Sequence, residues 1–232
     1  MPISDALFPP KPTGLKGRSG ELSTLERTLE SASPARLALV GSGGSGKSLL
    51  ASALGHRMAR FFRGNVHWFR VASWGFRTVT ELFALRFGTT LGDGRVPALA
   101  RFFRAGGPRL IVLDNHENDR ATARLLEAFS KTPVSFVITA RRCLLAGVWI
   151  FPVTAPLVTS GKSAFPRVAG LTRLLRFNPL ALDIADGIVA SRAESVAGLA
   201  EALRARGVER VVAIEHEDDL PEVALLVEWA WR

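Results

Sequence analysis

RLALV at Arg36–Val40 runs directly into GSGGSGKS at residues 41–48, which runs in turn into LLASALGHRM at residues 49–58. The short apolar run between breakers reads as a buried strand. From Lys47 onward Leu49, Leu50, Ala53, Leu54, Met58, Phe61 and Phe62 recur at three-to-four spacing, the period that puts them on one face of a helix. Strand, glycine-rich loop and helix in that order form the setting a phosphate-binding loop requires. Gly41, Ser42, Gly43, Gly44, Ser45 and Gly46 let successive backbone N–H groups curl around phosphate oxygens, and the helix start at Lys47, Ser48 and Leu49 adds the positive end of a dipole. Lys47 reaches terminal phosphates and the Ser48 hydroxyl is a magnesium ligand. The plain alternative, a flexible Gly/Ser loop, has no need of the strand and helix on either side. A near repeat, TSGKS at residues 159–163, carries Pro156 where the first glycine belongs and reads as a decoy.

Two further segments belong to the same chemistry. LIVLDNHE at residues 110–117 is an apolar strand ending at Asp114, placed to hold magnesium directly or through water, with Glu117 to orient or deprotonate an attacking water. His116 and Glu117 read equally well as solvated loop residues. FVITARR at residues 136–142 is a strand that delivers Thr139 and Arg141 to the sheet edge, where a hydroxyl and a guanidinium can read a terminal phosphate. The plain alternative there is an ordinary polar strand end.

Around these segments the chain alternates strand and helix. Helices are expected at 20–31, 78–87, 96–103 and 119–129, and strands at 36–40, 65–72, 110–113, 134–138 and 148–153. Strands apolar on both faces, separated by helices, predict an α/β fold: a three-layer P-loop NTPase with a parallel sheet of the ASCE type. After about Ser160 the strand signal fades into helical stretches at 165–175, 179–191 and 194–206, a small helical subdomain. Asn178 before Pro179 marks a helix start. The expected division is a flexible Pro-rich lead-in (1–14), a nucleotide-binding domain (15–157), a helical subdomain (158–210) and the start of a further winged-helix-like region (211–232). That last region holds an apolar helical pattern from Leu220 with Trp229 and Trp231 uncovered, as in a truncated domain or a helix that docks on a partner.

Composition sets the outer bounds. With 232 residues, 47% of them hydrophobic, the chain can bury a substantial core. The single cysteine, Cys143, allows no internal disulfide, and no apolar run reaches membrane-spanning length, so a cytoplasmic protein without a membrane partner is expected. The net charge of +9 comes mostly from scattered arginines. It favours a polyanionic partner in general.

Taken in order, LKGRSGEL at residues 15–22, GSGGSGKS, LIVLDNHE, VITAR at residues 137–141 and NPLAL at residues 178–182 resemble the landmarks of the STAND class. These are signal-transducing, AAA+-related P-loop ATPases that include NB-ARC domains and large bacterial regulators. The resemblance implies that Lys16, Gly17 and Arg18 lie against adenine and ribose, that Pro179 packs near the base, and that Thr139 and Arg141 form the sensor of the terminal phosphate. Ala140 stands where the sensor usually has serine, and Asn115 leaves Asp114 without an adjacent second carboxylate, which implies slow hydrolysis. The implied ligands are ATP or ADP with Mg2+. The implied function is a nucleotide-dependent switch, the regulatory core of a larger protein, that meets a protein partner or self-associates.

Two other classes compete. A P-loop kinase of a small acceptor needs an arginine-rich lid, whereas Leu144, Leu145, Gly147, Val148 and Trp149 suit packing. A nucleic-acid-associated ATPase would use Arg57, Arg60 and Arg63 on one helix face, but no aromatic stacking platform accompanies them, so nucleic acid is the weaker candidate partner.

Overall fold

The computed structural model describes residues 2–13, 15, 17–154, 165–175, 178–191 and 194–205. They fall into two compact units. The first takes the described part of 1–15 with Ser19–Gly41 and Lys47–Pro152, and the second takes that of 16–18 and 153–232 with Ser42–Gly46. Lys16, the decoy TSGKS and everything from residue 206, including Trp229 and Trp231, lie outside the described residues.

In the first unit the elements run α1 (Ser19–Ser31), β1 (Arg36–Val40), α2 (Lys47–Met58), β2 (Val66–Arg70), α3 (Phe76–Arg86), α4 (Arg95–Ala105), β3 (Arg109–His116), α5 (Asp119–Ala128), β4 (Val134–Ala140) and β5 (Trp149–Pro152). The strands form one sheet in the order β2-β3-β4-β1-β5. Every neighbouring pair is parallel. β4 therefore separates the strand that leads into the glycine loop from the strand that carries Asp114. Because the strands are parallel, the carboxyl ends of β1, β3 and β4 emerge at one edge, where ligands sit in such sheets.

Both sheet faces are covered, which is why β3 and β4 read as continuous apolar runs. Ile111, Leu113, Phe136 and Ile138 join Phe69, Phe83, Phe103 and Phe129 in one core on the face of α3, α4 and α5. Their alternates Leu110, Val112, Val137, Leu37 and Leu39 are fully buried too. α2 packs on β3 and β4, and α1 packs on α2. Phe83 sits at the centre of the aromatic cluster, with ring centroids 4.3 Å from Phe69 and 6.3 Å from both Phe103 and Phe129.

Four expectations need correction. β3 does not stop at Leu113 but continues to His116, with a bulge at its end: Leu113 pairs with Ile138 and His116 with Ala140, three residues against two. The lead-in is not loose, because Phe8 is buried, Asp5 pairs with Arg86 at 2.8 Å and Ser4 N–H donates to the Gly64 carbonyl at 2.9 Å. α2 is not a one-faced helix: Leu50 through Gly55 are all buried, while Leu49 and Phe61 are exposed. The sheet covers one side of it, and α1 and Phe8 cover others. Arg57, Arg60 and Arg63 do not share a helix face, since α2 ends at Met58.

In the second unit the expected helix at 165–175 is a 3-10 helix, Pro166–Leu171, interrupted at Val168 (φ −113, ψ 22). Gly170, costly in a helix interior, lies just before its end. α6 (Pro179–Ala190) and α7 (Val196–Ala205) follow. Phe165, Val168, Leu171 and Leu175 pack with Leu182, Ala185 and Ile188 of α6 and Leu199 and Leu203 of α7. Among the described residues no helix is long and apolar enough to cross a membrane.

Candidate functional site

Asp114 is the meeting point of the first unit's polar residues. The Ser48 hydroxyl, one residue into α2, donates to its Oδ1 at 2.6 Å, and the Thr139 hydroxyl, near the end of β4, donates to the same oxygen at 2.7 Å. Thr139 in turn accepts the Asn115 N–H at 2.9 Å. A hydroxyl has one proton to give. That of Thr139 goes to Asp114, so Thr139 holds the carboxylate. The bulge explains the position of the carboxylate: Asn115 adopts φ 57, a left-handed conformation, and the extra residue re-aims the side chains beside it.

Lys47 opens α2 and turns its ammonium back to donate to the Gly41 carbonyl at 2.8 Å. Burial pushes its pKa down, the Arg141 charge pushes it further the same way, and Asp114 acts in the opposite direction. Arg141, just past β4, is thus near enough to Lys47 for the two cations to repel. Two positive groups held together beside one carboxylate suit a polyanionic ligand.

Glu117 is exposed, and its Oε1 accepts from the Asn115 side-chain amide at 2.9 Å. Asn115 therefore links the bulge to the candidate catalytic carboxylate. The sequence reading treated it as a gap in the pattern; an Asn directly after the strand-end Asp, a residue type that tolerates positive φ, was the available signal. His116 takes a structural place. It is buried, with Nε2 2.8 Å from Asp119 Oδ1 and Nδ1 3.0 Å from the Thr122 hydroxyl.

The glycine loop residues Ser42–Gly46 belong to the second unit. Gly44 (φ 68) and Gly46 (φ 88) hold conformations that a side chain would strain. The Ser45 N–H closes a turn on the Ser42 carbonyl at 3.3 Å. Arg18 is buried and donates from Nη2 to the Ser45 carbonyl at 2.6 Å and to the Thr154 carbonyl at 2.9 Å. Gly17 beside it has φ 71. Pro179 is the first residue of α6, after the Asn178 cap.

A neighbouring hydroxyl and carboxylate are hard oxygen donors of the kind magnesium takes, with phosphate and water completing its shell. Ser48 and Asp114 fit that ion. Among the described residues no group of three or more His, Cys, Asp or Glu gathers elsewhere as a metal cluster.

No protein-family model matches the chain, and no curated protein does. Solved structures do. The chain is similar to the ORC1 protein of Aeropyrum pernix in complex with DNA, with a TM-score of 0.51 and 21% identity over 84% of this chain and 66% of that one. It is also similar to Drosophila ORC bound to DNA, with a TM-score of 0.51 and 15% identity over 90% of this chain and 64% of that one. The fold is the α/β fold of a P-loop NTPase, a parallel five-stranded sheet covered by helices. The chain spans just under two thirds of the length of these structures. The likeness is one of fold.

Proposed function

We propose that this chain binds ATP and ADP with magnesium and acts as a switch of the STAND type, with slow hydrolysis. The observation that carries the reading is the convergence of Ser48 and Thr139 on one oxygen of Asp114, at the sheet edge where the glycine loop's strand also ends. Gly41, Ser42, Gly43, Gly44, Ser45, Gly46, Lys47, Ser48 and Leu49 would bind the phosphates, and Ser48 and Asp114 would hold the ion. Gly17, Arg18 and Pro179 would flank the nucleoside. The ion supplies charge neutralisation at the phosphates when bound. Thr139 fixes the Asp114 carboxylate, Arg141 and Lys47 supply positive charge, and Glu117 orients or deprotonates water.

The test is calorimetric titration of the chain with ATP, ADP and GTP in magnesium, beside Lys47→Ala. The expected result is adenine-selective binding that weakens about ten- to a hundredfold in the variant, the range for losing hydrogen bonds to a charged group. A folded protein that binds no nucleotide would end the proposal. Turnover that Glu117→Gln leaves unchanged would remove Glu117 from its role and leave binding intact.

A second reading, a nucleic-acid-associated ATPase, draws support from the two structures with similar folds, both described with DNA, and from the net charge of +9. The exposed arginines near the end of α2 favour it less, since Arg57 is already paired with Glu26 at 3.2 Å. Binding of duplex DNA that weakens steeply with added salt would establish it.

A further inference from the structure

The two halves of the Asn178 amide make different contacts. Oδ1 accepts the N–H groups of Leu180 at 3.0 Å and Ala181 at 3.3 Å, capping α6. Nδ2 donates to the carbonyl of Gly43 in the glycine loop at 3.3 Å. The amide's orientation is fixed by its neighbours, because two N–H groups face one of its atoms and a carbonyl faces the other. The side chain is buried and lies flat against the loop: a Cβ on Gly44 would sit 2.7 Å from Oδ1 and 2.9 Å from Nδ2.

Helix caps are interchangeable among Asn, Asp and Ser to a first approximation. The contact to the loop is not. A serine hydroxyl engaged in capping has no second arm to reach Gly43, and an aspartate would turn an acceptor oxygen toward the Gly43 carbonyl. Asn is the cap that also donates to the loop.

We propose that Asn178 is a positioning residue for the glycine loop: from the start of α6 it fixes the Gly43 and Gly44 backbone, so that the loop is preorganised before a ligand arrives. The consequence for affinity rests on the nucleotide-binding reading above; the ordering of the loop does not. A loop already held in its binding shape loses less conformational freedom when it binds.

The experiment compares the full chain with Asn178→Ser and Asn178→Asp, which keep a cap on α6. Amide hydrogen exchange at Ser45, whose N–H closes the loop turn, is followed without nucleotide, and Mg-ATP affinity is measured by calorimetry. In Asn178→Ser the thermal midpoint should stay near wild type, exchange at Ser45 should quicken about two- to tenfold, and affinity should fall about two- to tenfold, the span of one net hydrogen bond. Asn178→Asp should move both readouts the same way and weaken ATP further by charge. Unchanged exchange in a folded variant overturns the proposal, and so does faster exchange with unchanged affinity in a chain that binds ATP. If wild type binds no nucleotide but exchange still quickens in Asn178→Ser, the nucleotide reading falls and the positioning role stands. Should Asn178→Ser fail to fold, Asn178→Asp decides by the same two readouts.

Discussion

The Ser48 hydroxyl lies 2.6 Å from Oδ1 of Asp114, joining the first turn of α2 to the bulged end of β3 across 66 residues of sequence. The contact pairs a neutral donor with a carboxylate, two hard oxygen donors that a cation would find side by side. Replacing Asp114 by asparagine leaves an acceptor for the hydroxyls, so the fold should survive. Magnesium should then no longer strengthen nucleotide binding. With magnesium present the variant should bind about ten- to a hundredfold more weakly, the scale of a charged hydrogen-bonded contact, and with a chelator it should match wild type. Titrations under the two conditions check this; a variant that keeps its magnesium response would remove Asp114 from the metal site.

Thr139 is 1% exposed and takes part in two hydrogen bonds, one to Asp114 and one from the Asn115 N–H. Thr139→Val keeps the shape and loses both. The Asn115 N–H is then left without its acceptor and the carboxylate without one of its two donors, so stability should drop by about 1–3 kcal/mol. Thr139→Ser restores the hydroxyl and should recover most of the loss. Urea unfolding of the three proteins measures it, and a valine variant as stable as wild type would show that the network contributes little.

The strands and helices were legible because burial on both faces leaves an unmistakable apolar run, and β3 and β4 are such runs. The loop residues were legible because Gly44 and Gly46 need positive φ. What the sequence hid depends on register. Nothing in LDNH states that an extra residue enters at Asn115, because the bulge exists only against β4. Nor does an Asn-Pro helix start reveal that the cap reaches Gly43, a contact spanning 135 residues. The prolines before residue 14 suggested a loose segment because proline removes N–H donors; Phe8, Asp5 and Ser4 supply the tertiary contacts that hold it.

Phe8 and Gly55 test that segment. The Phe8 ring meets His56 and Trp68 edge-on at 5.3 and 5.4 Å and lies against the Gly55 Cα, where any Cβ would collide with it. Phe8→Ala should cost about 3 kcal/mol, the low end for a buried phenylalanine. Gly55→Ala should cost about 1–3 kcal/mol by overpacking. Combined, the two should be far from additive, with Gly55→Ala harmless once the ring is gone. Thermal or urea unfolding of the four proteins gives the coupling, and simple additivity would mean that Phe8 does not occupy that place in solution.

His67 gives the fold a pH dependence of its own. Its pKa is lowered from 6.5 to about 4, chiefly by burial, with Arg109 and Arg86 adding to the fall and Asp5, 3.7 Å from Nδ1, opposing it. Its Nε2 is buried without a hydrogen-bond partner among the described residues, so no acceptor awaits a second proton. Between those two values the unfolded chain binds the proton and the folded chain does not. Stability from this group is therefore present above pH 6.5 and falls as the pH drops toward about 4, below which both states are protonated. The full effect is on the order of 3 kcal/mol. His67→Phe keeps a ring against Phe87, whose centroid lies 4.8 Å away, and cannot titrate. Its stability should fall less than wild type's by about that amount between roughly pH 7 and pH 4 in urea unfolding. Parallel curves for the two proteins would mean that His67 accepts its proton in the folded state as readily as in the unfolded one.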